Sequence, residues 1–229
     1  MKLEGDRNTN FQIDNLFDKG RSLEHLARFH SNKDALDVKS GNLFVLLLGP
    51  SSVGKSTITR ALNELTNDEY EFINAYTTRP PRPGENDKIS VSDKEFDRLD
   101  QAGKFIQVNH LYGARYAPPL ADVQGAISNG KIPVLDFPLH RVGELTRPEY
   151  DLVDIYVFPP TVKAWADKLN SLGRNNSTER LEAGLKELQG LSQAYEPHPD
   201  IHYSIVNKHK KEYEGAREIA SFVEEIRRK

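Results

Sequence analysis

Short apolar runs alternate along most of this chain with longer stretches in which apolar residues recur every three or four positions. The first run, Leu43–Leu48, is apolar throughout, which is typical of a strand that is covered on both faces. Further strands are predicted at Phe72–Tyr76, Ile132–Phe137, Ile155–Phe158 and His202–Val206, and helices at Ser56–Leu65, Val162–Leu172, Thr178–Tyr195 and Lys211–Arg227. Strands that alternate with helices in this way predict an α/β fold built on a parallel sheet.

Residues 1–40 precede this alternation and form a polar N-terminal extension. Within it, two apolar sets at helical spacing, Phe11–Phe17 and Leu23–Phe29, predict one or two short amphipathic helices, and Ser22 is placed to cap the second. One interpretation is that these helices pack on the body of the chain itself. The other is that they form a contact with a partner, such as a second copy of the chain in a homodimer.

Two segments interrupt the alternation within residues 41–229. Residues 77–131 are too long for a simple connection and carry strand and helix patterns of their own, so they predict a lobe inserted into the main domain. Residues 171–177 lie between two predicted helices and contain Gly, Asn and Ser, a composition typical of the tip of a mobile lid, which covers about residues 171–180. We therefore expect one domain with an inserted lobe and a short helical lid.

Composition narrows the class of protein without indicating a function. A chain of 229 residues can bury one sizeable core, and a net charge of −3 gives no general attraction for nucleic acid. Cysteine is absent, which excludes disulfides, thiolate metal sites and cysteine nucleophiles. The N-terminus lacks the apolar core of a secretory signal, and no run approaches the roughly 18 apolar residues of a membrane span. We expect a soluble cytoplasmic protein.

The strongest chemical signal is the segment GPSSVGKST, which lies between the first predicted strand and a predicted helix. It matches the pattern GxxxxGK(S/T), in which glycines let backbone N–H groups point at phosphate oxygens while the next helix directs its positive end to the same place. Lys55 then reaches the outer phosphates, and the Ser56 hydroxyl is placed to bind Mg²⁺. The segment predicts a binding site for a nucleoside triphosphate, formed by Gly49, Ser51, Ser52, Val53, Gly54, Lys55, Ser56 and Thr57.

A second positively charged segment, TTRPPRPGE, follows the predicted strand Phe72–Tyr76. Its two arginines, Arg79 and Arg82, stand among three prolines. Proline restricts the backbone, so less entropy is lost when the arginines close on an anion, and each guanidinium can bind two phosphate oxygens at once. By itself the segment also fits a solvated turn. Because the same chain carries a phosphate-binding loop, we interpret Arg79 and Arg82 as a second anion site, the arginine claw.

Together, GPSSVGKST and TTRPPRPGE at this spacing resemble the guanylate kinase family, from about Leu43 to the C-terminus. The resemblance implies a core α/β domain that binds ATP, an inserted lobe that binds the acceptor nucleotide, and a lid that closes over both. It also implies that Arg79, Arg82 and Tyr116 hold the acceptor phosphate, and that Glu85, at the end of the claw segment, belongs to the acceptor site.

The side chains that read guanine in that family are replaced here. Ala75 and Pro118 stand where the family has serines, Gln107 stands where it has a glutamate, and Pro138 replaces its second aspartate. Guanine presents N1–H and N2–H₂ donors that need acceptors, and of these replacements only Gln107 offers a side-chain oxygen. A second phosphate-binding tyrosine of the family is also missing, with only Lys88 nearby. We expect selectivity for guanine to be weaker than a complete set of these side chains would give, or absent.

Other family positions are matched to different degrees. Asp136 ends a predicted strand beside the loop, where a carboxylate can hold Mg²⁺ through its water shell, although an ordinary strand-end aspartate is the alternative. In the lid, Arg180 matches an arginine that neutralises charge on the transferred phosphoryl group. Arg174 is a second candidate, and Lys168 stands in the place of an earlier arginine. Asn207 matches an asparagine near the adenine, but it also suits a capping or turn role.

From the two segments and the resemblance we expect a kinase that moves the γ-phosphoryl group of Mg·ATP to a nucleoside monophosphate, with GMP the leading acceptor. Lys55, Arg174 and Arg180 are the expected catalytic residues. The altered base pocket leaves another nucleotide or a ribose phosphate as an alternative acceptor. A second alternative is a guanylate kinase-like module that binds protein ligands without catalysis, but such modules usually lose the loop that is intact here.

Overall fold

The structure is a computed structural model that describes residues 22–36, 38–82, 87–145, 149–172, 176–208 and 211–228. Its strands are β1 (Leu43–Leu48), β2 (Tyr70–Phe72), β3 (Ala75–Thr77), β4 (Lys88–Ser90), β5 (Asn109–Leu111), β6 (Ala114–Ala117), β7 (Ile132–Asp136), β8 (Asp151–Phe158) and β9 (Tyr203–Val206). Its helices are α1 (Leu23–His30), α2 (Lys55–Leu65), α3 (Asp93–Gln101), α4 (Leu120–Ser128), α5 (Val162–Ser171), α6 (Ser177–Gln193) and α7 (Glu212–Arg227). Two short 3₁₀ helices cover Lys33–Ala35 and Leu139–Glu144.

The main sheet is parallel throughout and has the order β2, β7, β1, β8, β9. Strand β1 lies in its centre, and all six residues of the strand are buried. Alternate residues of β1 contribute to two separate cores, one that contains Phe44, Leu46 and Leu48 and one that contains Leu43, Val45 and Leu47. The predicted α/β fold with a parallel sheet is confirmed, because only a strand covered on both faces is apolar at every position.

A second sheet, of order β4, β3, β6, β5, carries the residues inserted into the main domain. It has a small core of its own, in which Phe96 of α3 packs with Phe105 and Ala117. This sheet spans residues 75–117, a shorter range than the predicted lobe of 77–131. The difference arises because α4 packs back on β7, where its residues Val123 and Ala126 belong to the main core.

The strand predicted at Phe72–Tyr76 is wrong, because the structure divides it between two sheets. Strand β2 ends at Phe72 and pairs with β7, whereas β3 begins at Ala75 and pairs with β4 and β6. Ile73 between them is buried, so the apolar pattern continues across the crossing. Local periodicity reports burial and not the identity of the neighbouring strand, so it cannot reveal this change of partner.

Helix α1 packs on the body of the chain. Ser22 caps it as predicted, since its hydroxyl accepts a hydrogen bond from the backbone N–H of His25 over 3.2 Å. The buried face of α1, formed by Leu23, Leu26, Ala27 and His30, joins the main core. The helix predicted from Phe11–Phe17 lies outside the described residues. The homodimer contact therefore stays a prediction.

None of the described helices is both long and apolar enough to cross a membrane.

Candidate active site

The phosphate-binding loop begins where β1 ends and leads into the first turn of α2. Three of its residues have positive φ, namely Gly49 (118°), Ser52 (66°) and Gly54 (110°). A Cβ at Gly49 would lie 2.5 Å from the carbonyl oxygen of Val157, and one at Gly54 would collide with the amide of Asn207. Conformation and close approach therefore both require glycine here. The loop surrounds the positive end of α2, as anion binding requires.

Lys55 is held inside the curve of the loop, and only 6% of its side chain is exposed. Its ammonium group donates to the carbonyl oxygens of Gly49 (2.5 Å) and Pro50 (3.1 Å), and Nζ lies 3.3 Å from Oδ1 of Asp136. Asp136 reaches this point because it ends β7, the parallel neighbour of β1. The ammonium group is thus positioned at the loop by fixed partners, which lowers the entropy lost when it binds a phosphate.

Residues of three other elements hold the loop in place. Trp165 of α5 donates from Nε1 to the carbonyl oxygen of Ser51 over 2.8 Å. Arg180 of α6 donates from Nη1 to the hydroxyl of the same residue over 2.9 Å. Asn207, directly after β9, donates from Nδ2 to the carbonyl oxygen of Val53 over 2.7 Å. Asn207 therefore contacts the backbone of the loop, and a role for it near the adenine stays a prediction.

The arginine claw lies in the same cleft as the loop. The cleft has a volume of 1290 Å³, and Arg79, Arg82 and Tyr116 line it together with Lys55 and Ser56. Arg79 donates from Nε to the Tyr116 hydroxyl over 3.3 Å. The register of the second sheet makes this contact, because Tyr116 of β6 lies opposite the last residue of β3, two positions before Arg79. The structure thus brings the two predicted anion sites together.

Two carboxylates suited to a metal ion lie in the cleft, one close to Ser56 and one close to Lys55. The Ser56 hydroxyl lies 3.4 Å from Oδ2 of Asp87, the residue before β4, and Asp136 approaches Lys55 in the same cleft. Mg²⁺ prefers oxygen ligands and is commonly bound through one or two carboxylates together with substrate phosphates. Ser56, Asp136 and Asp87 therefore fit this ion. Asp87 was missed by the sequence analysis, because nothing local indicates that β4 comes close to the loop.

The other end of the cleft is lined by Ala75, Asn109 and Pro118 of the second sheet and its edge. Gln107 was predicted at this place, but it does not line the cleft. Its Nε2 instead donates to Oδ1 of Asn109 over 3.3 Å. Asn109 is thus the amide that faces the cleft, and a shift of two positions in matching the segments would have pointed to it.

The lid approaches both the loop and the lobe. Asn176, before α6, donates from Nδ2 to the carbonyl oxygen of Tyr112 over 3.0 Å. The guanidinium carbon of Arg180 lies 4.0 Å from the centre of the Tyr112 ring, a cation–π contact. Burial raises the pKa of Tyr112, and the charge of Arg180 opposes that rise. The start of α6 therefore connects the phosphate-binding loop, through Ser51, with the turn between β5 and β6.

A partly buried acid, Glu187 of α6, also lines the cleft. Its Oε1 accepts a hydrogen bond from the hydroxyl of Tyr156 over 2.6 Å. Burial raises the pKa of Glu187, while the hydrogen bond from Tyr156 and the charges of Lys55 and His140 oppose the rise. The sequence analysis missed Glu187, because its position on a helix gives no local sign that it faces the cleft.

Most of the predicted site residues line this one cleft, namely Gly49, Ser51, Ser52, Gly54, Lys55, Ser56, Thr57, Arg79, Arg82, Tyr116, Asp136 and Arg180. Val53 is buried beside the loop in the core that contains Leu43, Val45 and Leu47. Lys88 and Lys168 also line the cleft, whereas Gln107 and Asn207 act through their neighbours. Glu85 and Arg174 lie outside the described residues. A loop for a triphosphate and a claw for a second phosphate, set in one cleft of a parallel α/β fold, define a P-loop nucleotide kinase.

Comparison with known proteins identifies the family of nucleotide kinases to which the chain belongs. The guanylate kinase family model matches residues 41–224. The guanylate kinase of Symbiobacterium thermophilum is 34% identical over 174 residues, 74% of this chain and 79% of that protein. The guanylate kinase of a Nostoc species is 30% identical over 186 residues, 80% of this chain and 90% of its own. The crystal structure of guanylate kinase from Anaplasma phagocytophilum has the same fold, with a TM-score of 0.60 and 22% identity over 84% of this chain and 90% of that one. The chain belongs to the guanylate kinase family.

Proposed function

We propose that this protein transfers the γ-phosphoryl group of ATP to the phosphate of GMP, which yields ADP and GDP. An oxygen of the acceptor phosphate forms the new bond to the γ-phosphorus, and the bond from that phosphorus to the β–γ bridging oxygen breaks. One observation carries the proposal: the phosphate-binding loop and the arginine claw line a single cleft, so that two phosphorylated ligands can meet in it. Alignment of donor and acceptor is the main contribution that a protein makes to this reaction.

The donor site is formed by the loop and by Lys55. Backbone N–H groups of the loop and the positive end of α2 hold the phosphates of ATP, and Lys55 holds the outer phosphates. Ser56 and Asp136, with Asp87 beside them, would hold Mg²⁺. When bound, this ion neutralises charge on the phosphate oxygens that change during the transfer.

The acceptor site is formed by the claw. Arg79 and Arg82 bind the phosphate of the nucleoside monophosphate, and the Tyr116 hydroxyl, which lies beside Arg79, donates a further hydrogen bond. Lys88 lines the same part of the lobe and supplies an additional positive charge. Glu85 stays a prediction of the family resemblance.

Arg180 completes the site from the lid. Its guanidinium already lies against the loop at Ser51, so it can neutralise the charge that develops on the transferred group. Lys168 on α5 lines the cleft as a second cation of the lid, in the position that the resemblance assigns to an arginine. A role for Arg174 stays a prediction.

The decisive experiment measures ADP release from Mg·ATP with GMP, other nucleoside monophosphates and ribose phosphates as acceptors. We expect turnover with GMP, its loss in Lys55→Ala, and a rise of about tenfold or more in the acceptor KM of Arg82→Ala, because a charge-assisted contact is removed. Arg98→Ala is the matched control, since Arg98 lies on the same lobe but is exposed and pairs with Glu95. Normal acceptor kinetics in Arg82→Ala would contradict the assignment of the claw.

The same panel tests the alternatives. If a ribose phosphate or another nucleotide were turned over faster than GMP, that compound would be the acceptor instead of GMP. Failure of every phosphomonoester, together with tight binding of a peptide, would identify an interaction module. The geometry argues against that module, because Lys55 and the two loop glycines are intact and in place.

A further inference from the structure

Asn109 lies at a position in the cleft from which a side chain can form hydrogen bonds with the base of an acceptor nucleotide. It lies in β5 directly opposite Tyr116 of β6, and cross-strand partners project from the same face of a sheet. Tyr116 belongs to the phosphate end of the acceptor site, so Asn109 lies one strand farther along the same face. Ala75 and Pro118 line the cleft beside it, and neither side chain carries a polar group.

The orientation of the Asn109 amide is determined by Arg141. Arg141 donates from Nε to the side-chain oxygen of Asn109 over 3.3 Å, and Nε2 of Gln107 donates to the same oxygen over 3.3 Å. A guanidinium group has donors and no acceptor, so the atom that faces Arg141 must be the oxygen. Arg141 is itself held by Glu144, from Nη1 to Oε1 over 2.8 Å.

This arrangement leaves the amide nitrogen of Asn109 to face the cleft. Asn109 is 3% exposed, and both hydrogen bonds described for its side chain use the oxygen and not the two N–H donors. An N–H donor that faces a cleft favours a ligand that offers an acceptor, and it disfavours a ligand that presents another donor. The 6-oxo group of a purine is such an acceptor, whereas the 6-amino group of adenine is a donor.

The acidic side chains that line the described part of the cleft lie elsewhere. Asp136 contacts Lys55, Asp87 contacts Ser56, and Glu187 accepts from Tyr156. None of these three carboxylates is placed beside Asn109 to accept from the N1–H and 2-amino groups of guanine. Among the described residues, no carboxylate is therefore assigned to the 2-amino group, which distinguishes GMP from IMP.

We infer that Asn109, positioned by Arg141, is the specificity-determining residue for the acceptor base, and that it selects 6-oxopurine nucleotides through an N–H donor without separating GMP from IMP. This inference rests on the proposed function. It predicts kcat/KM values for GMP and IMP that agree within about fivefold, since no buried side chain is left unpaired by the loss of the 2-amino group, and a clearly lower value for AMP.

The test compares kcat/KM for GMP, IMP, AMP and ribose 5-phosphate in the wild type and in Asn109→Asp. This substitution keeps the shape and the contact with Arg141 but replaces the donor with an acceptor. We expect kcat/KM for both GMP and IMP to fall by about 10- to 100-fold. The ratio of kcat/KM for GMP to kcat/KM for AMP should fall as well. Asn129→Asp, at the exposed end of α4, introduces the same charge change and should leave these ratios unaltered.

Arg141→Gln supplies a second measurement in case Asn109→Asp folds poorly. Loss of the guanidinium lets the Asn109 amide rotate. The ratio of kcat/KM for GMP to kcat/KM for AMP should therefore fall, while the KM for ATP stays unchanged. An equal fall of kcat/KM for all acceptors would indicate a merely structural role and overturn the inference. So would a wild type that prefers GMP over IMP by more than about 100-fold, a discrimination typical of a site that binds the 2-amino group.

Three kinds of failure can be distinguished. Turnover of GMP by the wild type with unchanged ratios in both variants would overturn only the role of Asn109. Turnover of ribose 5-phosphate as fast as GMP would overturn the role of Asn109 and also the nucleotide acceptor. Absence of turnover with every acceptor would remove the proposed function and this inference together.

Discussion

The guanidinium of Arg180 donates a hydrogen bond from Nη1 to the hydroxyl of Ser51 over 2.9 Å, and so joins the first turn of α6 to the phosphate-binding loop. The side chain is almost fully buried, and its Nε has no hydrogen-bond partner among the described residues. Arg180 also lines the cleft that contains the loop. The lid and the donor site are therefore connected through one residue.

Arg180→Ala is expected to lower kcat by about 10³-fold or more, because the charge that develops on the transferred phosphoryl group loses its neutralising partner. Ser51→Ala removes the hydrogen bond but keeps the guanidinium, and should lower kcat by less than about tenfold. Steady-state kinetics at saturating ATP and acceptor measure both. Equal losses in the two variants would mean that Arg180 acts by holding the loop and not through its charge.

Lys88 is expected to serve as the fourth group that binds the acceptor phosphate. Its side chain is only 13% exposed, and its Nζ donates to the carbonyl oxygen of Asp87 over 2.9 Å at the edge of the cleft. Lys88→Met keeps the apolar stem and removes the charge, so the acceptor KM should rise by about tenfold with little change in the KM for ATP. Lys94→Met, exposed on α3 of the same lobe, is the control and should leave both constants unchanged. An unaltered acceptor KM in Lys88→Met would show that Arg79, Arg82 and Tyr116 bind the acceptor phosphate without Lys88.

Gly184→Ala should destabilise the protein although it replaces glycine within a helix. A Cβ at Gly184 would lie 2.5 Å from Cη2 of Trp165, whose ring is buried and whose Nε1 binds the loop. Overpacking of this kind costs about 1–3 kcal/mol, which exceeds the gain of about 1 kcal/mol from replacing a helical glycine. Urea denaturation measures the free energy of unfolding, and a raised KM for ATP should accompany the loss.

Gly190→Ala is the matched control in the same helix. A Cβ at Gly190 meets no atom within 4 Å, so only the gain in helix propensity remains. We expect its free energy of unfolding to rise by up to about 1 kcal/mol. If the two alanine variants had the same stability, the close contact with Trp165 would not explain Gly184.

Asp154 is expected to make the protein less stable as the pH rises from about 4 to about 8. Burial, and after it the charge of Asp200, raises the pKa of Asp154 to about 8. The folded protein then keeps a proton that the unfolded chain has already lost, so each pH unit in this window lowers the free energy of unfolding by up to about 1.4 kcal/mol. Burial also lowers the pKa of His202, whose Nδ1 accepts from the backbone N–H of Asp154.

Asp154→Asn should remove this slope and leave the variant more stable than the wild type at pH 8. The measurement is urea denaturation at several pH values between 5 and 8, with the exposed Asp167→Asn as a control that should follow the wild type. A wild-type slope that persists in Asp154→Asn would assign the titration to a different group.

Much of the core and of the donor site follows from sequence alone, because the signals there are local. The run Leu43–Leu48 reports burial on both faces within six residues, and the four helices predicted in the core end within two residues of their observed ends. The segment from Gly49 to Thr57 carries its whole phosphate-binding geometry in consecutive residues. Propensity, periodicity and a contiguous motif suffice wherever the relevant partners are near in sequence.

The acceptor end of the cleft was decided by the tertiary structure, because its contacts join residues far apart in the chain. Asn109 receives its orientation from Arg141, 32 positions away, and Asp87 meets Ser56 across 31 positions. The division of Phe72–Tyr76 between two sheets likewise depends on which strands lie alongside. The sequence by itself determined the parallel fold, the family and the loop. Only the packing of distant strands decided which amide faces the cleft, since a pairing between remote side chains leaves no trace in the local pattern of either segment.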